Sequence, residues 1–175
     1  MNGGDGFQGD ISLTRQGVII DRFARLGLHL AVAESLTGGL VAGAFADVPG
    51  ASRVLQGGIV AYQTSLKHRL LGVDKELLAE HGAVDPQVAE EMALGVRERL
   101  AEGVSAATVG VSTTGVAGPD WQDEQPPGTV FIGLAWDTEL THYAHTFRGS
   151  RQEIREATVA AVMEHLWEHL DLGLR

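Results

Sequence analysis

A chain of 175 residues suits one compact domain, and at 44% apolar residues it can bury a core, filled mostly by Val, Leu, Ile and Ala because aromatics make up only 6%. The net charge of −10 repels the phosphate backbone of nucleic acid. That argues against a nucleic-acid-binding module, though not against a nucleotide ligand at a local site. No cysteine is present, which excludes disulfides, thiolate metal sites and a cysteine nucleophile.

Residues 1–10, MNGGDGFQGD, are polar and glycine-rich and lack the charged-then-apolar pattern of a signal peptide. They read as a flexible tail ahead of a single domain over 11–175. No run has the length of a transmembrane helix. A cytoplasmic protein with no membrane partner is expected.

From Leu13 to Leu26 apolar residues recur at helical spacing, with Ile19, Phe23 and Leu26 on one stripe and Gly27 as the stop. LHLAVA (28–33) reads as a buried strand, LVAGAFADV (40–48) as a small-residue helix, and GIVAY (58–62) as a second buried strand. TSLKHRLLGV (64–73) and DKELLAEHG (74–82) are short helices ended by glycines. Asp85-Pro86 opens a longer helix whose buried face is Val88, Met92, Val96 and Leu100. AATVGVS (106–112) is a third strand, followed by a loop over 113–128. TVFIGLAW (129–136) and THYAHTF (141–147) pair as a hairpin across DTEL. Ser150 to Glu153 spells a capping box before a final helix from Arg151 to about Leu170. Strands separated by helices imply parallel pairing with helices on both faces, and the hairpin adds antiparallel steps. The expected fold is α/β, a three-layer α/β/α sandwich around a mixed five-stranded sheet.

Ligands of such sheets bind at the carboxyl ends of strands. Three loops there carry chemistry. In ESLTGG, Ser35 stands where a strand hands over to a helix, a position that exposes a side chain and aims helix N–H groups at a bound group. The same serine also reads as a helix N-cap. In AYQTSLK, Tyr62 ends a strand and Lys67 lies in the first turn of a short helix, where the helix dipole disfavours a cation and so favours the neutral amine of a general base. The bland reading is a solvated lysine beside a half-buried tyrosine. In STTGVAGP, three hydroxyls are followed by Gly115 and Gly118, a loop whose backbone amides can approach an anion, or else an ordinary turn. Trp121 is unusual in so polar a loop and packs either on the loop base or on a ring-shaped ligand. HLWEH (165–169) matches the H-x-x-E-H zinc pattern, but with only six residues after it to complete the site it reads as helix-terminal histidines. No metal and no cofactor are expected.

AESLTGGLVA, GGIVAYQTSLKHRLLGV, HGAVDPQVAEEMALGVRE, TTGVAGP with PPGTVFIGLA, and FRGSRQEIREATVAAVMEHL, in that order, resemble the C-terminal domain family of the competence/damage-inducible protein CinA. Its stand-alone members are PncC-type nicotinamide-nucleotide amidases. The likeness covers residues 12–170. It implies hydrolysis of the carboxamide of nicotinamide mononucleotide to nicotinate mononucleotide and ammonia, in a homo-oligomer whose partner is a small pyridine nucleotide. The family's serine–lysine pair falls on Ser35 and Lys67, and its tyrosine on Tyr62. Larger members carry an N-terminal domain of molybdopterin-binding type, for which 175 residues leave no room, so the pyrophosphatase activity linked to it is not expected.

On that reading the Ser35 hydroxyl attacks the amide carbon, and neutral Lys67 takes the proton, directly or through Tyr62. Amides around Thr37, Gly38 and Gly39 stabilise the oxyanion, while Thr37 caps the helix. The TTGVAGP amides with Thr113, Thr114, Gly115 and Gly118, and an arginine among Arg148, Arg151 and Arg155, take the phosphate; Arg151, in the first turn of a helix, is the favoured one. One departure stands out. Family members often have a glycine-rich segment and a lysine where this chain reads GPDWQDEQPPG, with Gln125 at the lysine position and three acids added. A loop so altered keeps open the alternative of a non-catalytic nucleotide-binding or regulatory domain.

Overall fold

The computed structural model describes residues 14–101 and 108–172. The tail over 1–10, Leu13 and the first two residues of the strand expected from 106 lie outside them. In chain order the elements are α1 (Arg15–Leu26), β1 (His29–Glu34), α2 (Leu40–Ala46), a single 3-10 turn (Ala51–Arg53), β2 (Leu55–Val60), α3 (Thr64–Leu71), α4 (Lys75–His81), α5 (Pro86–Leu100), β3 (Thr108–Gly115), β4 (Thr129–Trp136), β5 (Glu139–Thr146) and α6 (Arg151–Leu172).

The sheet order is β2-β1-β3-β4-β5. β1 runs parallel to both β2 and β3, while β3–β4 and β4–β5 are antiparallel. This is the expected mixed five-stranded α/β sandwich. Alternation along β1 divides the core: Leu30 and Val32 pack with Ile19, Phe23, Phe45 and Leu166 from the layer of α1, α2 and α6, whereas Ala31 and Ala33 pack with Leu71, Val88 and Met92 from the opposite layer. Small residues bring α5 onto the sheet. A Cβ at Gly110 or Gly133 would run into the carbonyl oxygens of Ala93 and Ala89, so helix and strand backbones touch there.

Local signals explain most boundaries. Thr14 caps α1 through Gly17 N, Asp74 caps α4 and Asp85 caps α5. The Ser150–Glu153 box closes in both directions, Ser150 N donating to Glu153 and Glu153 N to Ser150 Oγ. Gly27 and Gly72 stop α1 and α3 in the left-handed region, at φ 67° and 79°.

Several expectations are corrected. Leu26 is 56% exposed rather than on the buried stripe, because it is the last residue of α1, one turn beyond the core contact of Phe23. The second strand is Leu55–Val60, not 58–62, and it is an edge strand with only β1 beside it, so it alternates in exposure instead of being buried throughout. Tyr62 therefore lies beyond the strand. β3 runs on to Gly115 where the strand was expected to stop at Ser112, because β4 continues to pair with it as far as Gly115↔Val130. The hairpin is also tighter, with Trp136 already opposite Glu139.

Candidate active site

Ser35 follows directly on β1. Its amide still donates to Thr113 O at 2.9 Å, so the nucleophile candidate is tied to the centre of the sheet. Lys67 reaches it from α3. Its side chain is 1% exposed, and Nζ lies 2.9 Å from Ser35 Oγ and 2.9 Å from Ala61 O. Burial pushes the Lys67 ammonium from its ordinary 10.5 down to about 8, against an opposing pull from the Asp123 carboxylate. A neutral amine there directs one N–H to Ala61 O and its lone pair to the serine hydroxyl, the arrangement a general base requires.

The turn between β1 and α2 is held from several sides. Glu34, 1% exposed, ends β1 and aims its carboxylate at the start of α2. Oε2 accepts from Gly39 N at 2.8 Å and Val41 N at 3.1 Å, and Oε1 from Ala42 N at 2.9 Å. Arg155, from α6, donates to Leu36 O and Thr37 O at 2.9 and 2.8 Å. Thr37 Oγ1 and Thr113 Oγ1 share a hydrogen bond of 2.7 Å in full burial.

These bonds reassign several expected roles. Glu34, not Thr37 or Ser35, caps α2. The amides of Gly38 and Gly39 donate to Ser35 O and Glu34, so they are not free donors for an oxyanion. Thr113, Thr114 and Gly115 belong to β3 rather than to a phosphate loop. The Thr113 hydroxyl faces Thr37, and Thr114 Oγ1 donates to Ala83 O. Both are fully buried. The ladder demanded by β4 draws the chain inward there, and buried hydroxyls must find internal partners. Arg155 spends its guanidinium on two carbonyls of the turn, and Arg148 is exposed beyond the end of β5. Tyr62 is 52% exposed, and its hydroxyl accepts from Arg151 Nη2 at 2.6 Å. With Lys67 directly on Ser35, a relay through Tyr62 is not needed.

Ser35, Tyr62, Gly115, Gly118 and Arg151 do meet, around a cavity of about 270 Å³ also lined by Trp121. Arg151 Nη1 donates to Gly118 O at 2.8 Å, so its two donor groups bridge the 116–118 turn and Tyr62 across the mouth. A larger cleft of about 650 Å³ lies between α1, α2 and α6, but its lining holds no hydroxyl, amine or imidazole that could act as nucleophile or base. Among the described residues no three His, Asp or Glu side chains gather to hold a metal ion. In HLWEH, His165 Nδ1 faces Glu168 while His169 Nδ1 faces Tyr143 and His165 O, so the two rings do not converge. No described helix is long and apolar enough to cross a membrane.

Residues 13–170 match the pattern of the CinA C-terminal domain. The chain belongs to that family. A CinA-like protein of Frankia casuarinae is 44% identical over 161 residues, which are 92% of this chain and 36% of that protein. A putative competence-damage inducible protein of Desulforamulus reducens is 45% identical over 138 residues, 79% of this chain and 32% of its own. The CinA-family chain thus spans about a third of the length of these curated relatives. Among solved structures, the competence/damage inducible protein CihA of Agrobacterium tumefaciens superposes with a TM-score of 0.82 at 38% identity, covering 94% of this chain and 98% of that one. A CinA superfamily protein of Klebsiella pneumoniae gives 0.82 at 27% identity, with 94% and 99% covered.

Sequence reasoning missed two residues outright. Glu34 had a readable signal, an acid closing an otherwise apolar strand just before a glycine-rich turn. Asp123 had none, because its carboxylate meets Ala83 N and Val84 N from a segment forty residues away.

Proposed function

We propose that this CinA-family domain hydrolyses the carboxamide of nicotinamide mononucleotide, giving nicotinate mononucleotide and ammonia, through an acyl-enzyme on Ser35. The observation that carries this reading is the buried Lys67 Nζ at 2.9 Å from Ser35 Oγ, with an amine held near 8. A buried, satisfied lysine with no catalytic task would destabilise the fold without return, and burial is what makes it a base at neutral pH.

Neutral Lys67 takes the Ser35 proton as Oγ bonds to the amide carbon. The resulting ammonium then protonates the leaving nitrogen as the C–N bond breaks, and ammonia departs. Water attacks the ester, giving its proton to Lys67. As the Oγ–carbon bond breaks, the proton returns to Oγ, and the product acid leaves, releasing its remaining proton to water as it becomes the carboxylate. Glu34, Arg155 and the Thr37–Thr113 pair hold Ser35 in place rather than touching substrate. Arg151 is the cation at the cavity mouth and serves the phosphate, exchanging its bond to Tyr62 for the ligand. The amides of Ala117 and Gly118 border the cavity and replace those of Gly38 and Gly39 as candidate oxyanion donors, whereas Val116 N already donates to Thr129 O.

The test is ammonia release from nicotinamide mononucleotide by the purified protein and by Ser35→Ala. The expected loss in the variant is at least about a thousandfold in kcat, as for other nucleophile deletions. Full activity in Ser35→Ala would refute the nucleophile. Tight binding with no turnover in the unmodified protein would instead support a non-catalytic nucleotide-binding domain.

A further inference from the structure

The segment in which this chain departs from its family pattern, 119–127, is built to present one side chain. Gln122 and Gln125 bridge each other, Gln122 N to Gln125 O at 3.2 Å and Gln125 N to Gln122 O at 2.9 Å. The two residues between them, Asp123 and Glu124, have φ of 49° and 60°. That is a two-residue hairpin turn made without glycine, a conformation that persists only where the surroundings hold it. The hold is Asp123, whose carboxylate accepts from Ala83 N at 2.7 Å and Val84 N at 3.3 Å in the α4–α5 connection. The fit is close enough that a Cβ at Gly82 would collide with Asp123.

Just ahead of this pinned turn stands Trp121, 68% exposed. A tryptophan so exposed on an anchored loop is a large apolar face left to water. It borders the Ser35 cavity together with Tyr62, also largely exposed, and with Asp120. The cavity therefore has a nucleophile at its floor, an arginine at its mouth, and two aromatic faces and a carboxylate on its walls.

We propose that Trp121 is the wall that binds the aromatic ring of the substrate, and that with Asp120 it selects a cationic pyridinium ring over a neutral one. The inference rests on the amidase reading of the site and adds the residue that sets ring preference. Electron-rich indole attracts a cation over its face, and a neighbouring carboxylate adds to that attraction. The same carboxylate disfavours a second phosphate nearby, so the loop narrows the choice to small pyridinium nucleotides. Arg151 is left to meet the single phosphate.

The experiment titrates nicotinamide mononucleotide, and separately its reduced dihydro form, into full-length Ser35→Ala, following intrinsic tryptophan fluorescence and calorimetric heat. The reduced form carries the same phosphate and carboxamide on an uncharged ring. The titrations are repeated with Trp121→Leu added, and steady-state ammonia release is measured for the single Trp121→Leu variant. Trp167→Phe, near the other end of α6 from Arg151 and against Arg22, serves as control. The expected result is quenching by the oxidised form that Trp121→Leu abolishes and Trp167→Phe keeps. Trp121→Leu should also weaken binding and raise KM by about tenfold for the oxidised form and leave the weaker binding of the reduced form little changed. Unchanged affinity in Trp121→Leu overturns the proposal, as does equal binding of both forms by the parent. Turnover with an unaltered KM in Trp121→Leu removes Trp121 but leaves the amidase standing. Quenching without ammonia release from the unmodified protein does the reverse, and neither binding nor turnover removes both.

Discussion

Replacing Lys67 with methionine separates stability from activity. The side chain is 1% exposed, and its ammonium is held at about 8 against an ordinary 10.5. Below pH 8 both folded and unfolded chains carry the proton, and the folded state bears the full cost of burying the charge. Between about 8 and 10.5 the folded amine is neutral while the unfolded one is still protonated, so unfolding takes up a proton and stability rises with pH. Above 10.5 neither state is charged and the gain is complete. A gap of about 2.5 pH units at 1.36 kcal/mol each amounts to roughly 3 kcal/mol. Lys67→Met keeps the volume but has no proton to lose. It also forfeits the bonds to Ser35 Oγ and Ala61 O, an offset that does not change with pH. Every other titrating group is common to both proteins and cancels in the difference. Urea unfolding of both at intervals from pH 7 to 10.5 should show the parent gaining about 3 kcal/mol on the variant across that range. Parallel curves, with a difference constant to within about 0.5 kcal/mol, would mean that Lys67 is not desolvated in the folded state. The general-base assignment would fall with it.

Further outcomes follow from the same geometry. For ammonia release, kcat/KM should climb with pH through a midpoint near 8, as Lys67 loses its proton; a flat profile from pH 6 to 9 contradicts the mechanism. Glu34→Gln places an amide NH₂ against a set of three backbone N–H donors. It should cost about 1–3 kcal/mol in denaturant unfolding, and an unchanged midpoint would show that the cap contributes nothing. Gly133→Ala drives a methyl into Ala89 O, so α5 must lift from the sheet. Thermal unfolding should register a loss on the large side of the usual 0.5–3 kcal/mol range, about 3 kcal/mol or more.

The pattern of the chain, taken alone, determined the layers and singled out Ser35 and Lys67 as candidates. Apolar runs bounded by Gly27, Gly72 and Gly82, the Asp85-Pro86 start and the Ser150–Glu153 box are local signals, and local hydrogen bonding makes them good in the folded protein. Ser35 and Lys67 were legible as candidates because both stand in loops beyond strand ends and a lysine in the first turn of a helix opposes its dipole, while Ser35 alone reads equally as a cap and the family likeness set the two together. The end of β3 was not legible. Thr113 and Thr114 have the polarity of a loop, and only pairing with β4, joined by β1 at Thr113, brings them into the core. The same holds for the cap of α2. Ser35 and Thr37 are better N-cap residues than Glu34, yet the carboxylate wins because β1 delivers it, buried, to three amides at once. Tyr62 and Arg151 are 89 residues apart, and Asp123 meets Ala83 across 40. Contacts of that range depend on sheet order and helix packing, which no local pattern encodes. Residue types and local spacing supplied the chemistry, then, and tertiary packing decided which hydroxyls, amides and cations remain free to use it.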